Sequence, residues 1–200
     1  MRIAFLFILI SLCCSCRFID HVNEHLHGKK KTPNTTQESQ VKEPIISVEE
    51  SFIKDQVFLL LKDSAATTKE IGTKLGMLYG RIGEMMKKNN LVMTGAPAAF
   101  YNGQQPPLEF YAAVPVNRKN IVLKKADGFS IREIRAGKVA VAHFFGPYEL
   151  MPKGYDALKE WMKKNNKTNT GGPWEVYVTD PSTVKDPYLV QTDIYFPIVP

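Results

Sequence analysis

"MMKKNN", Met85–Asn90, and "WMKKNN", Trp161–Asn166, repeat one another at a shift of 76 positions. Each string closes an apolar stripe of helical period. In the first stripe Ile71, Leu75, Leu78, Ile82 and Met85 recur at steps of four and three; Met151, Tyr155, Leu158 and Met162 form the second. The spacing predicts helices over about 68–89 and 151–165. Paired lysines in each last turn complement the helix dipole, and Asn suits the left-handed residue that ends a helix. Thr67 with Glu70 has the form of a capping box at the start of the first helix. Tyr79 and Tyr155 also match at the same shift.

The correspondence continues beyond the helices. "GAP", Gly95–Pro97, falls on "GGP", Gly171–Pro173, and strand-like text follows both: "AAFYN" and "LEFYAAVPV", then "WEVYVTD" and "LVQTDIYFPIV". Pro115 and Pro197 stand 82 apart, because "DPSTVKDPY" lengthens a hairpin loop in the second copy. Strand text also precedes each helix, "QVFLLLK" before the first and "FSIREIRAG" with "KVAVAHFFG" before the second. The expected fold is α+β: two pseudo-symmetric β-(β)-α-β-β halves, about 45–116 and 127–198. Each lays one long helix on an antiparallel sheet, with a groove between the halves as the natural ligand site.

The first residues read differently. "MRIAFLFILISLCCSC" is one Arg, an apolar run too short to span a bilayer, then small residues and cysteines, the pattern of a secretory signal over 1–16. Its end resembles a bacterial lipoprotein site with Cys16 as the lipidated residue and Cys14 as rival acceptor. That implies an exported protein of the cell envelope, anchored to a membrane by lipid. Residues 17–44 lack hydrophobic period and read as a polar tether, with His21, His25 and His27 as tether residues rather than metal ligands. All 3 cysteines lie in the signal segment, so residues 45–200 hold no disulfide, thiolate ligand or cysteine nucleophile. The net charge of +6 on 200 residues is modest and dispersed, which argues against a nucleic-acid partner.

"GPYELMPKGYDALKEWMKKN", "GGPWEVYVTDP" and "TDIYFPI", in that order and spacing, resemble the second half of the GyrI-like effector-binding domain. The resemblance covers roughly residues 45–200. It implies a pocket between the halves for lipophilic, often cationic small molecules, with Glu175, Asp193 and Tyr195 facing the ligand. Regulators of this family add a helix-turn-helix, which nothing here resembles.

Alternation along the strands adds its own reading. Glu175 and Tyr177 share one side of their strand, and Trp174, Val176 and Val178 share the other. Asp193 and Tyr195 oppose Ile194 and Phe196, while the repeat matches Tyr101 to Tyr177 and Tyr111 to Asp193. The expectation is one face collecting Tyr101, Tyr111, Tyr177, Tyr195, Glu175 and Asp193. Such a face is either an aromatic pocket for an organic cation or the solvent side of amphipathic strands. Trp174 either floors that pocket or joins the core, and Trp161 packs inward from its helix. Phe144, Phe145 and Tyr148 either rim the groove or fill the core.

Catalytic signals are sparse. The single histidine of the domain, His143, sits in an apolar strand as a core group, no G-x-S-x-G occurs, and no metal or cofactor is expected. Haem ligation by His143 has little support. Binding of a small amphiphilic cation, for sensing, scavenging or detoxification, is therefore the leading reading. A hydrolase of strained-ring electrophiles using Glu175 to activate water is the alternative, and a membrane-tethered protein-interaction module the second.

Overall fold

The computed structural model describes residues 42–103, 106–117, 121, 123 and 127–200. The signal segment, Cys16 and the tether histidines lie outside the described residues. Lys42, Glu43 and Pro44, read as the end of the tether, already touch the domain. Lys42 pairs with Asp186 at 2.8 Å, and Glu43 pairs with Lys153.

Both helices end as their shared text dictates. Helix α1 (Thr68–Lys88) and helix α2 (Met151–Lys164) are each followed by an Asn pair. The first Asn of each pair turns its amide back to a helix carbonyl, Asn89 to Met85 at 2.9 Å and Asn165 to Trp161 at 2.8 Å. The second, Asn90 or Asn166, is left-handed at φ 52° or 53°. Leu91 N–H then reaches Met86 C=O and Lys167 N–H reaches Met162 C=O, both at 2.9 Å, which completes a Schellman motif in each copy. The start of α1 departs from expectation, since Thr67 Oγ1 bonds the Glu70 carboxylate at 3.0 Å and caps no backbone N–H.

Nine strands follow the order of the two copies: β1 (Ile45–Ile53), β2 (Gln56–Ala65), β3 (Ala98–Asn102) and β4 (Leu108–Pro115), then β5 (Phe129–Ile134), β6 (Gly137–Phe145), β7 (Thr168–Asn169), β8 (Trp174–Tyr177) and β9 (Gln191–Val199). They form one antiparallel sheet in the order β1-β6-β9-β8-β3-β4-β2-β5, with the short β7 beside β9. Each copy lends its first strand to the other: β1 pairs with β6, and β5 pairs with β2. The halves meet through β3 and β8, where Ala99 lies directly opposite Glu175. These two residues are also repeat mates at the 76-residue shift, so the pseudo-twofold axis runs between them.

Both helices lie on one face of the sheet. Leu75, Leu78 and Ile82 of α1 bury Val57, Leu59 and Leu61 of β2, and Phe110, Ala112 and Val114 of β4. Met151 and Leu158 of α2 cover Ala140, Ala142 and Phe144 of β6, and Ile194 and Phe196 of β9. The other face carries a third cluster, Phe58, Leu60, Phe100, Ala113, Val139 and Trp174. Phe58 and Val139 belong to strands near opposite ends of the sheet, so the sheet curls around this face. Burial on both sides explains why β2 reads as the unbroken apolar run Val57–Leu61 rather than an alternation. Among the described residues no helix is long and apolar enough to cross a membrane.

The glycines of the helices separate two packing regimes. A Cβ at Gly76 or Gly80 of α1 would meet nothing within 4 Å, whereas one at Gly154 of α2 would stand 2.7 Å from Ile194 Cδ1 and 3.3 Å from Phe144. Urea unfolding should therefore find Gly76→Ala and Gly80→Ala stabilising by about 0.5–1 kcal/mol each. Gly154→Ala gains the same helical preference but overpacks two fully buried side chains, and should lose about 1–3 kcal/mol net.

Candidate functional site

Glu175 projects from β8 onto the helix face, beside the axis, where its repeat mate Ala99 leaves room for it. The residue is only 7% exposed. Three phenols hold the carboxylate: Tyr155 of α2 donates to Oε1 at 2.8 Å, while Tyr101 of β3 and Tyr177 of β8 donate to Oε2 at 3.1 and 3.0 Å. The hydroxyls of Tyr101 and Tyr177 are themselves 3.1 Å apart. Tyr79 of α1 completes the ring of phenols, its edge against the Tyr177 ring and its hydroxyl on the Ala98 carbonyl at 2.6 Å. The four tyrosines are two pairs of repeat mates, Tyr79 with Tyr155 and Tyr101 with Tyr177. A near-symmetric aromatic cage thus surrounds one unsymmetric acid.

No lysine, arginine or histidine among the described residues pairs with Glu175. Burial pushes its pKa up from the ordinary 4.5, and the hydrogen bonds from Tyr155, Tyr177 and Tyr101 only partly oppose that. Burial, followed by the Glu175 charge, raises Tyr79, Tyr101, Tyr155 and Tyr177 as well, so all four stay neutral donors.

The tyrosines are only partly buried and lie over β3 and β8, with α1 packed on β2 and β4 to one side and α2 on β6 and β9 to the other, so the helices stand as the walls of a trough. Its α1 wall is bare, because Gly72, Gly76 and Gly83 share a helical stripe with Tyr79 and a Cβ on any of them would meet nothing within 4 Å. At the α2 end, Tyr148 is 44% exposed and stands edge-on to Tyr177 at 6.1 Å.

The structure divides the residues expected on one face. Val176 lies opposite Asp193 and Trp174 opposite Tyr195, and strand neighbours in register share a face. Asp193, Tyr195 and Trp174 therefore point away from Glu175, to the side without helices, and so does Tyr111, which pairs with Phe100. The repeat correspondences hold, Tyr101 with Tyr177 and Tyr111 with Asp193, but the two pairs occupy opposite faces. Sequence alternation orders residues within a strand and leaves the register between strands open.

Trp174 is buried on that face, stacked on Tyr195 at 5.2 Å and on Phe100 at 6.0 Å. Phe144 is core, and Trp161 packs against the α2 cluster. His143 is not the core group its apolar strand suggests, being half-buried and polar in its contacts. Its Nδ1 lies 2.9 Å from Asp193 Oδ1 and its Nε2 3.6 Å from Glu49. Burial lowers the imidazole pKa, but the bond and charge of Asp193, helped by Glu49, outweigh it and leave the pKa raised. Burial and the Asp193 charge push Tyr195 up to about 12. Among the described residues no three His, Asp or Glu side chains are grouped to hold a metal ion.

The model of the GyrI-like small molecule binding domain matches residues 66–199. The chain belongs to the GyrI-like family. The crystal structure of the EcmrR C-terminal domain superposes with a TM-score of 0.67 at 17% identity, over 78% of this chain and 98% of that one. EcmrR in a DNA complex gives 0.66 at 18% identity, over 76% of this chain, which spans only 57% of EcmrR. A hydrolase from Listeria innocua gives 0.54 at 13% identity, over 76% and 91% of the two chains. At these identities the likeness is one of fold. No curated protein matches the chain. A GyrI-like domain is a small-molecule binder, and that much holds for this chain.

Tyr79, Tyr155 and the glycines of α1 were absent from the sequence-derived site. Their signals were legible: Tyr79 and Tyr155 are repeat mates, and Gly72, Gly76, Gly80 and Gly83 are costly in a single helix unless space is wanted there.

The raised acid has a consequence for stability. Between pH 4.5 and its folded pKa, the unfolded chain releases the Glu175 proton while the folded chain keeps it, so stability falls as pH rises through that window. His143 acts in the same direction, its stabilisation being lost as pH rises through its raised pKa. The difference between Glu175→Gln and wild type isolates the acid. Urea midpoints from pH 4 to 8 should show the Gln variant gaining on wild type as pH increases.

Proposed function

We propose that the chain binds a lipophilic organic cation in the trough between α1 and α2, with Glu175 as its counter-ion. The observation that carries this reading is a buried carboxylate whose partners are all neutral phenols. A charge so placed lacks the opposite charge that normally offsets its desolvation. An organic cation supplies it, and its apolar body displaces water from the rings of Tyr79, Tyr101, Tyr155 and Tyr177. Each ring face so used contributes about 0.5–2 kcal/mol. An inorganic cation gains less, since it surrenders hydration without filling the aromatic walls.

Titration with a lipophilic dye cation such as ethidium should quench the intrinsic fluorescence, and Glu175→Gln should weaken that binding at least tenfold. Equal affinity in the variant would remove Glu175 from the role.

The raised pKa of Glu175 favours a second use of the same group, as general base toward a water attacking a strained-ring electrophile, with a tyrosine hydroxyl donating to the departing oxygen. In that case Glu175→Gln abolishes turnover of a test epoxide while its binding persists. Absence of turnover by wild type across a panel of such electrophiles would sink this reading.

Export and lipid anchoring at Cys16 belong to the same proposal, and place the binder at an envelope surface where it intercepts hydrophobic cations. Metabolic labelling with palmitate should mark the wild-type protein and not Cys16→Ala. Label retained by that variant would move the anchor elsewhere.

A further inference from the structure

The sheet face away from the helices carries a different chemistry. Arg132 of β5 lies in register with Phe58, so it projects onto this face. Its guanidinium sits 4.4 Å from the centre of the Phe100 ring and 5.0 Å from that of Tyr111. The other cations around it have carboxylate partners: Arg135 lies 3.8 Å from Glu133, Lys62 lies 2.7 Å from Glu109, and Lys138 lies 2.7 Å from Glu50, which Lys167 also engages at 2.6 Å. Among the described residues Arg132 makes no ion pair and no hydrogen bond to a side chain. It borders an open cleft of about 460 Å³ whose walls include Trp174, Phe100, Ile53, Ile134 and Pro173. That volume lies within the range of small-molecule sites, about 300–1,000 Å³.

We infer that this cleft is a second small-molecule site, selective for a planar organic carboxylate, with Arg132 as its anion-binding group. A guanidinium held over aromatic rings with no hydrogen-bond acceptor keeps its N–H groups for a ligand, and their spacing suits the two oxygens of a carboxylate. An apolar ring behind the carboxylate would lie along Ile53, Ile134 and Pro173, which present hydrocarbon surface and no competing charge, with the buried Trp174 beneath. Among the described residues Arg132 is the one cation of the cleft wall without a carboxylate partner, so it offers a single group for one carboxylate. The site stands apart from Glu175, which faces the helices, and the two faces would take guests of opposite sign.

The test uses the full chain carrying Trp161→Phe, which leaves Trp174 as the sole indole of the 2 tryptophans. Trp174 fluorescence is titrated with 4-nitrobenzoate and with the uncharged 4-nitrobenzyl alcohol, both quenchers of indole. The acid should quench saturably and bind at least tenfold more tightly than the alcohol. Arg132→Gln should bring the acid down to the alcohol, Arg132→Lys should keep part of the preference, and Glu175→Gln should leave it unchanged. Equal affinity for acid and alcohol, in the Trp161→Phe chain or in the unsubstituted protein titrated in the same way, overturns the inference. A preference that survives Arg132→Gln, or one lost in Glu175→Gln, overturns it as well.

Discussion

A carboxylate held only by phenols, beside the axis relating two copies of one motif, organises this molecule. Two repeated units meeting edge to edge bring like residues together, and here Tyr101 meets Tyr177 while Tyr79 and Tyr155 lean in from the two helices. Perfect repetition would have placed two glutamates face to face, each buried beside a like charge. Ala99 opposite Glu175 avoids this, supplying the space for one acid and the absence of a second. The two copies had to diverge at this position before the site could exist.

The exchange of edge strands ties the two halves together across that axis. Because β1 crosses to β6 and β5 crosses to β2, neither half completes its own sheet. Each helix covers strands of its own half together with the strand lent by the other, β5 under α1 and β1 under α2, and leaves β3 and β8 between them, so the phenols are set by two packed cores rather than by a loop. The glycines along α1 weaken that helix by about 1 kcal/mol apiece relative to alanine, a cost consistent with keeping its flank of the trough open. On the other face the sheet curls around an aromatic cluster in which Trp174 lies between Tyr195 and Phe100. The two sides of β8 thus serve different environments through alternate residues, Glu175 and Tyr177 on one, Trp174 and Val176 on the other.

Much of this was legible in the letters. The repeated "KKNN" carried the helix ends, down to a left-handed Asn at the same place in both, and the matched "GAP" and "GGP" carried the entry to β3 and β8. Tyr101, Tyr177 and Glu175 were readable as one cluster because two of them alternate on a single strand and the third follows from the repeat. Asp193 and Tyr195 were not, since their side depends on whether Val176 or Glu175 lies across from Asp193, a choice of register that strand text does not encode. His143 looked apolar by its neighbours Ala142 and Phe144, yet those face α2 while the imidazole turns to Asp193 on the other side. The exchange of β1 and β5 was equally hidden, because strand order along the chain is the same whether or not the edge strands swap.

The most direct measurement is a titration of the Glu175 carboxyl carbon by NMR in selectively labelled protein, with and without a lipophilic monocation. The expected midpoint lies above that of an ordinary glutamate in the free protein and moves down when the cation is present. A midpoint at or below the ordinary glutamate range, or one that the cation leaves in place, would contradict it.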